Sequence, residues 1–217
     1  MKYLVVGDLH GKFEIAEAAL KAGEDNDAKV VFVGDYLDSY TRSSEDCVKT
    51  LNVVLEAIAD GKAVGCWGNH DRQYVDPIYR CSGYDFKTQQ EIGPLKDSMT
   101  ELLTNYFWAN GYLISHAGVS QSLLRHLDKS LEEYLKDGDF NQIGRSRGGL
   151  DEVGGLYWCD WRSEFEPIPG VKQIVGHTGD RYIREVEGNY CIDCLRVAEE
   201  HNALLINDDG EASLTSI

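Results

Sequence analysis

Five short motifs containing carboxylate, imidazole or amide side chains occur in one order along this chain of 217 residues. They are Asp8-Leu9-His10, Gly34-Asp35, Gly68-Asn69-His70-Asp71, Ser115-His116 and Gly176-His177. Each motif follows a short apolar run, so we expect each to lie where a β-strand ends and a loop begins. Oxygen and nitrogen ligands gathered in this way bind pairs of divalent cations about 3.5–4 Å apart, which clamp phosphoryl groups and generate hydroxide from water. The motifs therefore predict metal-dependent hydrolysis of phosphate esters.

The types of side chain in the motifs favour some metals over others. Asp8 and His10 are one residue apart, so both can face the same side of an extended strand end. Asp35 follows the next strand, and its two oxygens can bridge two ions. Further ligand atoms are available on Asn69, His116 and His177. Mixed carboxylate and imidazole ligands suit manganese, iron or zinc better than calcium or magnesium. We expect two divalent ions, with Mn²⁺ as first choice and Fe, Zn or Ni as alternatives.

Alternating strands and helices must position the first three motifs. Short apolar runs predict buried strands at Tyr3–Val6, Val30–Val33 and Ala63–Cys66. Lys12–Ala22 has one apolar helical face, and a second helix follows a cap at Ser43 or Ser44 and ends at Gly61. This order predicts a parallel α/β sheet with right-handed crossovers, in which ligands gather beyond the carboxyl ends of the strands.

The rest of the chain is expected to complete a single domain over residues 1–217. Residues 74–105 are more polar, look helical from Gln89 to Leu103, and are expected to form a cap or side-wall insertion. An Asn-Gly turn predicts a hairpin between Tyr106–Trp108 and Tyr112–Ser115. Further elements are predicted as helical pieces within Gln121–Lys136 and strands at Val171–Val175, Arg181–Val186, Tyr190–Asp193 and Ala203–Ile206.

Charge and composition limit the class of partner. The formal net charge of −16 argues against a broad basic face, so we expect no nucleic-acid binding surface. A phosphorylated protein or small molecule is the expected substrate, attracted locally by metals and a few arginines. No apolar stretch approaches the roughly 20 residues of a membrane-spanning helix. The chain opens on its first strand, so we expect no signal peptide, and we expect a reduced cytoplasmic location in which Cys191 and Cys194 are structural.

The motifs resemble those of the calcineurin-like metallophosphoesterase superfamily and look closest to its phosphoprotein phosphatase branch, including small bacterial and phage serine/threonine phosphatases. The matching segments span residues 7 to 178 and are Gly7-Asp8-Leu9-His10-Gly11, Gly34-Asp35-Tyr36-Leu37-Asp38, Gly68-Asn69-His70-Asp71, His116-Ala117-Gly118 and Gly176-His177-Thr178. The resemblance implies a four-layer α/β/β/α sandwich. It also implies a phosphatase in which a metal-bound hydroxide attacks phosphorus.

The resemblance implies a role for each matching residue. The implied metal ligands are Asp8 and His10 for the first ion, Asp35 as a bridge, and Asn69, His116 and His177 for the second ion. His70 would be the general acid, and Asp38 would orient it. The chemistry agrees with this assignment, because an alkoxide is a poor leaving group unless it is protonated. A carboxylate on the far ring nitrogen would fix the tautomer of the histidine and keep it protonated.

The chain departs from the family pattern where an arginine normally grips the substrate phosphate. Asp38 is followed by Ser39-Tyr40 rather than Arg-Gly, and Asp71 stands where a glutamate is usual. Candidates for the missing guanidinium are Arg42, Arg72, Arg162 and the pair Arg145 and Arg147. Arg162 is preferred, because Tyr157–Arg162 resembles the Trp-containing segment that supplies a phosphate-binding arginine in small family members. The alternative is a surface ion pair, which is favoured for Arg42 and Arg72, while Arg145 and Arg147 can simply solubilise a loop.

Three functions remain open at this point. The leading hypothesis is hydrolysis of phosphate monoesters, on a phosphoprotein or a small molecule. The second is a nucleotide phosphodiesterase or dinucleoside-polyphosphate pyrophosphohydrolase, to which the missing arginine gives weight. The third is a metal-free scaffold, which is disfavoured because all six implied ligands, His70 and Asp38 are present.

Overall fold

The computed structural model describes residues 1–76, 81–194 and 201–217 and contains two β-sheets. The strands of the first sheet are β1 (Lys2–Val6), β2 (Ala28–Phe32), β3 (Ala63–Cys66), β4 (Leu103–Thr104), β10 (Asn202–Ile206) and β11 (Ala212–Ser216). Their order across the sheet is β11-β10-β1-β2-β3-β4. Strands β1 to β4 run parallel, whereas β10 and β11 pair antiparallel. The predicted parallel order of the first three strands is confirmed.

The second sheet carries the later motifs. Its strands are β5 (Tyr106–Ala109), β6 (Tyr112–Ser115), β7 (Lys172–Val175), β8 (Arg184–Val186) and β9 (Asn189–Cys191), in the order β5-β6-β7-β9-β8. The predicted hairpin is β5–β6, and its turn residues Asn110 and Gly111 both have positive φ, at 44° and 87°. Both central residues of a type I′ turn need positive φ, which explains why Asn-Gly occurs here. Strand β6 pairs parallel with β7, so His116 and His177 follow neighbouring strand ends.

Helices flank the two sheets. They are α1 (Phe13–Asp25), α2 (Ser44–Ala59), α3 (Asn69–Val75), α4 (Phe86–Glu91), α5 (Lys96–Leu102), α6 (Gln121–Leu127) and α7 (Leu131–Asp137). Ser43 caps α2, because its hydroxyl accepts from the backbone N–H of Asp46 while the Asp46 carboxylate accepts from the backbone N–H of Ser43. Among the described residues, no helix has the length and apolar character needed to cross a bilayer.

The core forms in two layers because alternate residues of a strand point to opposite faces of its sheet. Val5 and Val31 from the first sheet share one buried cluster with Ile174 from the second, so the two sheets pack face to face. Leu4, on the other face of β1, shares a cluster with Leu51 of α2. Burying each such side chain contributes about 1.5–3 kcal/mol. The predicted four-layer α/β/β/α sandwich is confirmed.

A predicted helix is interrupted in the structure, and an edge strand was not predicted. The helical run Gln89–Leu103 is broken into α4, a 3-10 turn at Gly93–Leu95, and α5. The break lies at Pro94, which has no N–H to continue an α-helix. Both α4 and α5 pack against α2, while residues 77–80 of the same predicted insertion lie outside the described residues. Strand β11 was not predicted, because it lies at the sheet edge and leaves Leu214 exposed.

Candidate metal centre and active site

Two groups of predicted ligands meet at the carboxyl ends of the central strands. The ligand atoms of Asp8, His10 and Asp35 lie within 4.8 Å of one another, and so do those of Asp35, His116 and His177. All five side chains are buried. Asp35 belongs to both groups, so its carboxylate lies between the two sets of nitrogen ligands.

Asn69 lies with the second group at distances typical of neighbouring metal ligands. Its Oδ1 is 2.8 Å from His116 Nε2 and 3.0 Å from His177 Nδ1, and the two ring nitrogens are 3.1 Å apart. Asp35 Oδ2 lies 3.4 Å from His116 Nε2. Ligand bonds of about 2.1 Å at right angles separate adjacent ligand atoms by about 3 Å. The converging nitrogen and oxygen atoms therefore fit a divalent cation at their centre.

Backbone carbonyls fix the histidine tautomers that metal binding requires. His116 Nδ1 lies 3.0 Å from the carbonyl oxygen of Val33, and His10 Nδ1 lies 2.7 Å from that of Asp38. A ring that donates its Nδ1–H to a carbonyl presents the lone pair of Nε2 to the site. Burial lowers the pKa of His116 to about 3, despite its hydrogen bond to Val33. Burial and the neighbouring His116 also hold the pKa of His177 well below its usual value, so both rings are neutral and able to bind a cation.

The carboxylates of the site are crowded and lack solvent. Burial, and then the nearby charge of Asp71, raise the pKa of Asp35 well above its ordinary value. Asp8 is 1% exposed and accepts the backbone N–H of His177 at 3.1 Å. Buried carboxylates stay ionised only where a positive charge compensates them, and metal coordination provides that compensation. This is a second reason why the group of side chains fits divalent ions.

Four predicted site residues in the strand-end loops adopt left-handed backbone conformations. His10, Asp35, Asp38 and His177 all have positive φ, between 46° and 65°. A non-glycine residue in this region costs on the order of 1–3 kcal/mol and persists where surrounding contacts impose it. Four of the eight described non-glycine residues with positive φ are predicted site residues, so contacts around the site impose the conformation of these loops.

Two glycines leave room for the buried carboxylates. A Cβ atom at Gly68 would overlap the carboxylate of Asp35, and a Cβ atom at Gly176 would overlap that of Asp8. In both cases a glycine from one strand end faces a carboxylate that follows another strand. Gly68 and Gly176 therefore each create the space for a predicted ligand from a different motif.

Asp71 links two of the motifs beneath the ligands. It has no exposed surface, and its carboxylate accepts the backbone N–H groups of Asp35 (2.7 Å), Tyr36 (2.9 Å), Leu37 (3.1 Å) and Gly68 (3.0 Å). Burial raises the pKa of Asp71 to about 7, although these hydrogen bonds act in the opposite direction. The sequence indicated only that Asp71 replaces a glutamate, so its position as the anchor of the Asp35 loop was missed.

His70 and Asp38 form a hydrogen-bonded pair beside the predicted ligands. His70 Nδ1 lies 2.9 Å from Asp38 Oδ2, and the backbone N–H of His70 donates to Asp35 Oδ1 at 2.9 Å. The His70 side chain is 15% exposed while Asp38 is 3% exposed, so the ring is the more accessible partner. The Asp38 carboxylate also accepts from the amide of Gln73 and the hydroxyl of Tyr74. Burial raises the pKa of Asp38 to about 7, against these two hydrogen bonds.

The three arginines predicted to contact substrate phosphate all have other partners. Arg42 pairs with Glu14, and the guanidinium of Arg72 lies 5.2 Å above the ring of Tyr157. Arg162 is 57% exposed, donates to the carbonyl of Gly179 and lies 3.6 Å from Asp180 Oδ2.

Arg147 lies nearer the predicted ligands than its place in a polar loop suggested. Its guanidinium donates to Oγ1 of Thr178, the residue after His177, at 3.0 Å. The same guanidinium lies 2.8 Å from Asp160 Oδ2. Burial is the main reason why the pKa values of His116 and His177 are low, and the positive charge of Arg147 lowers both further. No local pattern distinguishes Arg147 from Arg145, because Thr178 is 31 residues away.

Comparisons with known proteins identify the family of this chain. The sequence model of the calcineurin-like phosphoesterase family matches residues 1–205. The asymmetrical bis(5′-nucleosyl)-tetraphosphatase PrpE of Oceanobacillus iheyensis is 23% identical over an alignment of 209 residues. The matched region covers 82% of this chain and 77% of that protein. A probable serine/threonine-protein phosphatase of Encephalitozoon cuniculi is 23% identical over 189 residues, covering 79% of this chain but only 41% of that longer protein.

The fold is also shared with solved structures. The structure of a cold-active protein tyrosine phosphatase superposes with a TM-score of 0.61 at 17% identity, covering 98% of this chain and 78% of that chain. At this identity the likeness concerns the fold alone. The family match over nearly the whole sequence, the two-sheet sandwich and the clustered ligands lead to one assignment: the chain belongs to the calcineurin-like phosphoesterase family and is a metal-dependent phosphoric ester hydrolase.

Proposed function

We propose that this protein is a dinuclear metal phosphatase that hydrolyses phosphate monoesters. The observation that carries the proposal is the position of Asp35, which is common to both ligand groups and lies beside the His70–Asp38 pair. Asp8, His10 and Asp35 are proposed to hold one ion, and Asp35, Asn69, His116 and His177 the other. Two divalent ions bound here would neutralise charge on the phosphoryl oxygens and supply a nucleophile from water near neutral pH.

The proposed task of His70 is to protonate the leaving oxygen. Asp38 is in position to accept from His70 Nδ1, which directs the opposite ring nitrogen, Nε2, outward with its proton. Gln73 and Tyr74 hold Asp38 through two donated hydrogen bonds, so the carboxylate is oriented before substrate arrives. Such proton transfer accelerates the departure of a poor leaving group by about 10²–10⁴-fold.

Arg147 is our proposal for the guanidinium that grips the substrate phosphate. Support comes from its contacts with Thr178 and Asp160, which place it next to the His177 loop. A planar guanidinium binds two phosphate oxygens at once, which gives orientation as well as affinity. The phosphate contacts predicted for Arg162, Arg42 and Arg72 stay predictions, and alanine variants of these residues belong in the same assay.

A second candidate function is the hydrolysis of nucleotide phosphodiesters or, as a pyrophosphohydrolase, of dinucleoside polyphosphates. The specific observation in its favour is the similarity to the bis(5′-nucleosyl)-tetraphosphatase, together with Ser39 at the position where protein phosphatases carry arginine. A substrate panel separates the two functions. The Mn²⁺-reconstituted protein should hydrolyse p-nitrophenyl phosphate and phosphopeptides faster than bis-p-nitrophenyl phosphate or diadenosine tetraphosphate. The reverse ratio would favour the second function, and no hydrolysis of any of these substrates by fully metallated protein would refute both.

Three further proposals concern the identity of the metal, the domain organisation and the cellular location. Manganese is the proposed metal, supported by the mixed nitrogen and oxygen ligands. The chain is proposed to form one domain in which the described residues of 74–105 belong to a cap or side-wall insertion, supported by the packing of α4 and α5 on α2. The cytoplasm is the proposed location, supported by six cysteines that are all free.

A further inference from the structure

A cysteine lies beside the proposed proton donor. The Sγ atom of Cys81 is 3.6 Å from His70 Nδ1, the same ring nitrogen that faces Asp38. One ligand atom from each of Asp38, His70 and Cys81 lies within 4.8 Å of the other two. We call these three residues the Cys81 cluster. His70 and Asp38 act in the proposed hydrolysis, whereas Cys81 has no part in it.

The spacing within the Cys81 cluster matches that of zinc ligands. Zinc–nitrogen bonds of about 2.0–2.1 Å and zinc–sulfur bonds of about 2.3 Å at a tetrahedral angle place N and S about 3.6 Å apart. The observed separation between His70 Nδ1 and Cys81 Sγ is the same. The separation between His70 Nδ1 and Asp38 Oδ2, 2.9 Å, is that of a hydrogen bond and would widen slightly around an ion.

A buried glutamine ties the cluster together. The amide of Gln73 donates to the Asp38 carboxylate, and its Oε1 accepts the backbone N–H of Cys81 at 3.1 Å. Gln73 is 1% exposed, so it holds both residues in a fixed relation. Outer partners of this kind orient metal ligands in proteins. The His70 side chain of the cluster is 15% exposed.

We propose that the Cys81 cluster is a third, inhibitory metal site that binds zinc and similar thiophilic cations. On binding, Zn–S, Zn–N and Zn–O bonds to Cys81, His70 and Asp38 replace bonds from zinc to water. The S–H bond of Cys81 and the Nδ1–H bond of His70 break, and the released water and both protons pass to solvent. No oxidation or reduction takes place. Thiolate and imidazole ligands favour Zn²⁺ over Mn²⁺, so this site differs in selectivity from the nitrogen and oxygen ligands around Asp35.

Occupation of this site would remove the proton donor. With zinc on Nδ1, His70 is no longer an imidazolium oriented by Asp38, and its Nε2–H is a much weaker acid. Esters with poor leaving groups would lose the most activity, because they depend most on protonation. This consequence rests on the proposed function, whereas metal binding itself does not.

The binding test uses cobalt as a spectroscopic substitute for zinc. The Mn²⁺-loaded protein is titrated with Co²⁺, and the near-ultraviolet charge-transfer band of a cobalt–thiolate bond is recorded. The wild type and the control variant Cys47→Ala, which removes another buried thiol, should both show the band, while Cys81→Ala should not. A band that persists in Cys81→Ala, or is absent from the wild type, would overturn the proposed site.

The activity test compares two phosphate monoesters during zinc titration. Zinc should inhibit hydrolysis of phenyl phosphate, which has the poorer leaving group, more strongly than hydrolysis of p-nitrophenyl phosphate. Cys81→Ala should require on the order of tenfold more zinc for half inhibition, while Cys47→Ala should behave as wild type. Equal sensitivity of Cys81→Ala and wild type would mean that zinc acts by replacing the ions around Asp35, which overturns the proposal. If the protein hydrolyses no ester, the proposed function fails, and the cobalt titration still decides the site.

Discussion

The carboxylate of Asp71 accepts the backbone N–H of Asp35 at 2.7 Å, so a residue of the third motif holds the predicted bridging ligand of the second. Three further backbone N–H groups, from Tyr36, Leu37 and Gly68, donate to the same carboxylate. The ligand loops are thereby connected to one another and not only to their own strands.

Replacing Asp71 by alanine should destabilise the fold and weaken metal binding. The variant leaves four buried N–H groups without their acceptor, and each costs about 1–3 kcal/mol. We expect a lower midpoint of thermal unfolding and reduced Mn²⁺ content by elemental analysis. Asp60→Ala, at an exposed helix end, is the matched control. Wild-type metal content and stability in Asp71→Ala would show that the anchor is dispensable.

Replacing His70 by asparagine should separate metal binding from proton donation. Metal content should stay at the wild-type level, while phenyl phosphate turnover falls by about 10²–10⁴-fold. Hydrolysis of p-nitrophenyl phosphate should fall less, because its leaving group needs less protonation. His126→Asn, with a side chain 55% exposed, is the control. Retention of full activity on phenyl phosphate would remove His70 from the role of acid.

Replacing Arg147 by alanine should weaken substrate binding. Hydrogen bonds to charged groups contribute about 1.5–3 kcal/mol, so we expect kcat/KM to fall by about 10–100-fold, with inorganic phosphate becoming a correspondingly weaker inhibitor. Arg145→Ala, in the same turn and exposed, is the control. If Arg162→Ala shows the larger loss of kcat/KM, Arg162 is the residue that binds the substrate phosphate, as the sequence predicted.

Adding a methyl group at Gly68 or Gly176 should damage the metal centre. The new Cβ overlaps the carboxylate of Asp35 or Asp8, so one ligand must move. We expect weaker Mn²⁺ binding by isothermal titration in both alanine variants. Gly93→Ala serves as control, since no described atom lies within 4 Å of its added Cβ. Unchanged affinity in both test variants would indicate that the carboxylates are not ligands.

The parts of the fold that local patterns control could be predicted from the sequence. Strands β1 to β3 are short apolar runs, and α1 and α2 have clear apolar faces and, for α2, a serine cap. The edge strand β11 was missed, because its apolar and polar residues alternate only weakly. The break at Pro94 was missed, because the helix-favouring residues on both sides of it gave the stronger signal.

The sequence by itself determined which side chains can bind metal and that they follow strand ends. It did so because a strand ends where an apolar run meets glycine and polar residues, and because parallel strands end at the same edge of a sheet. Only the tertiary structure decided which residues surround those ligands. Asp71 reaches the Asp35 loop across 36 residues, Arg147 reaches Thr178 across 31, and Asp8 meets the backbone of His177 across 169. Contacts at such separations depend on how strands pair within a sheet and on how the two sheets pack, and no local pattern encodes either arrangement.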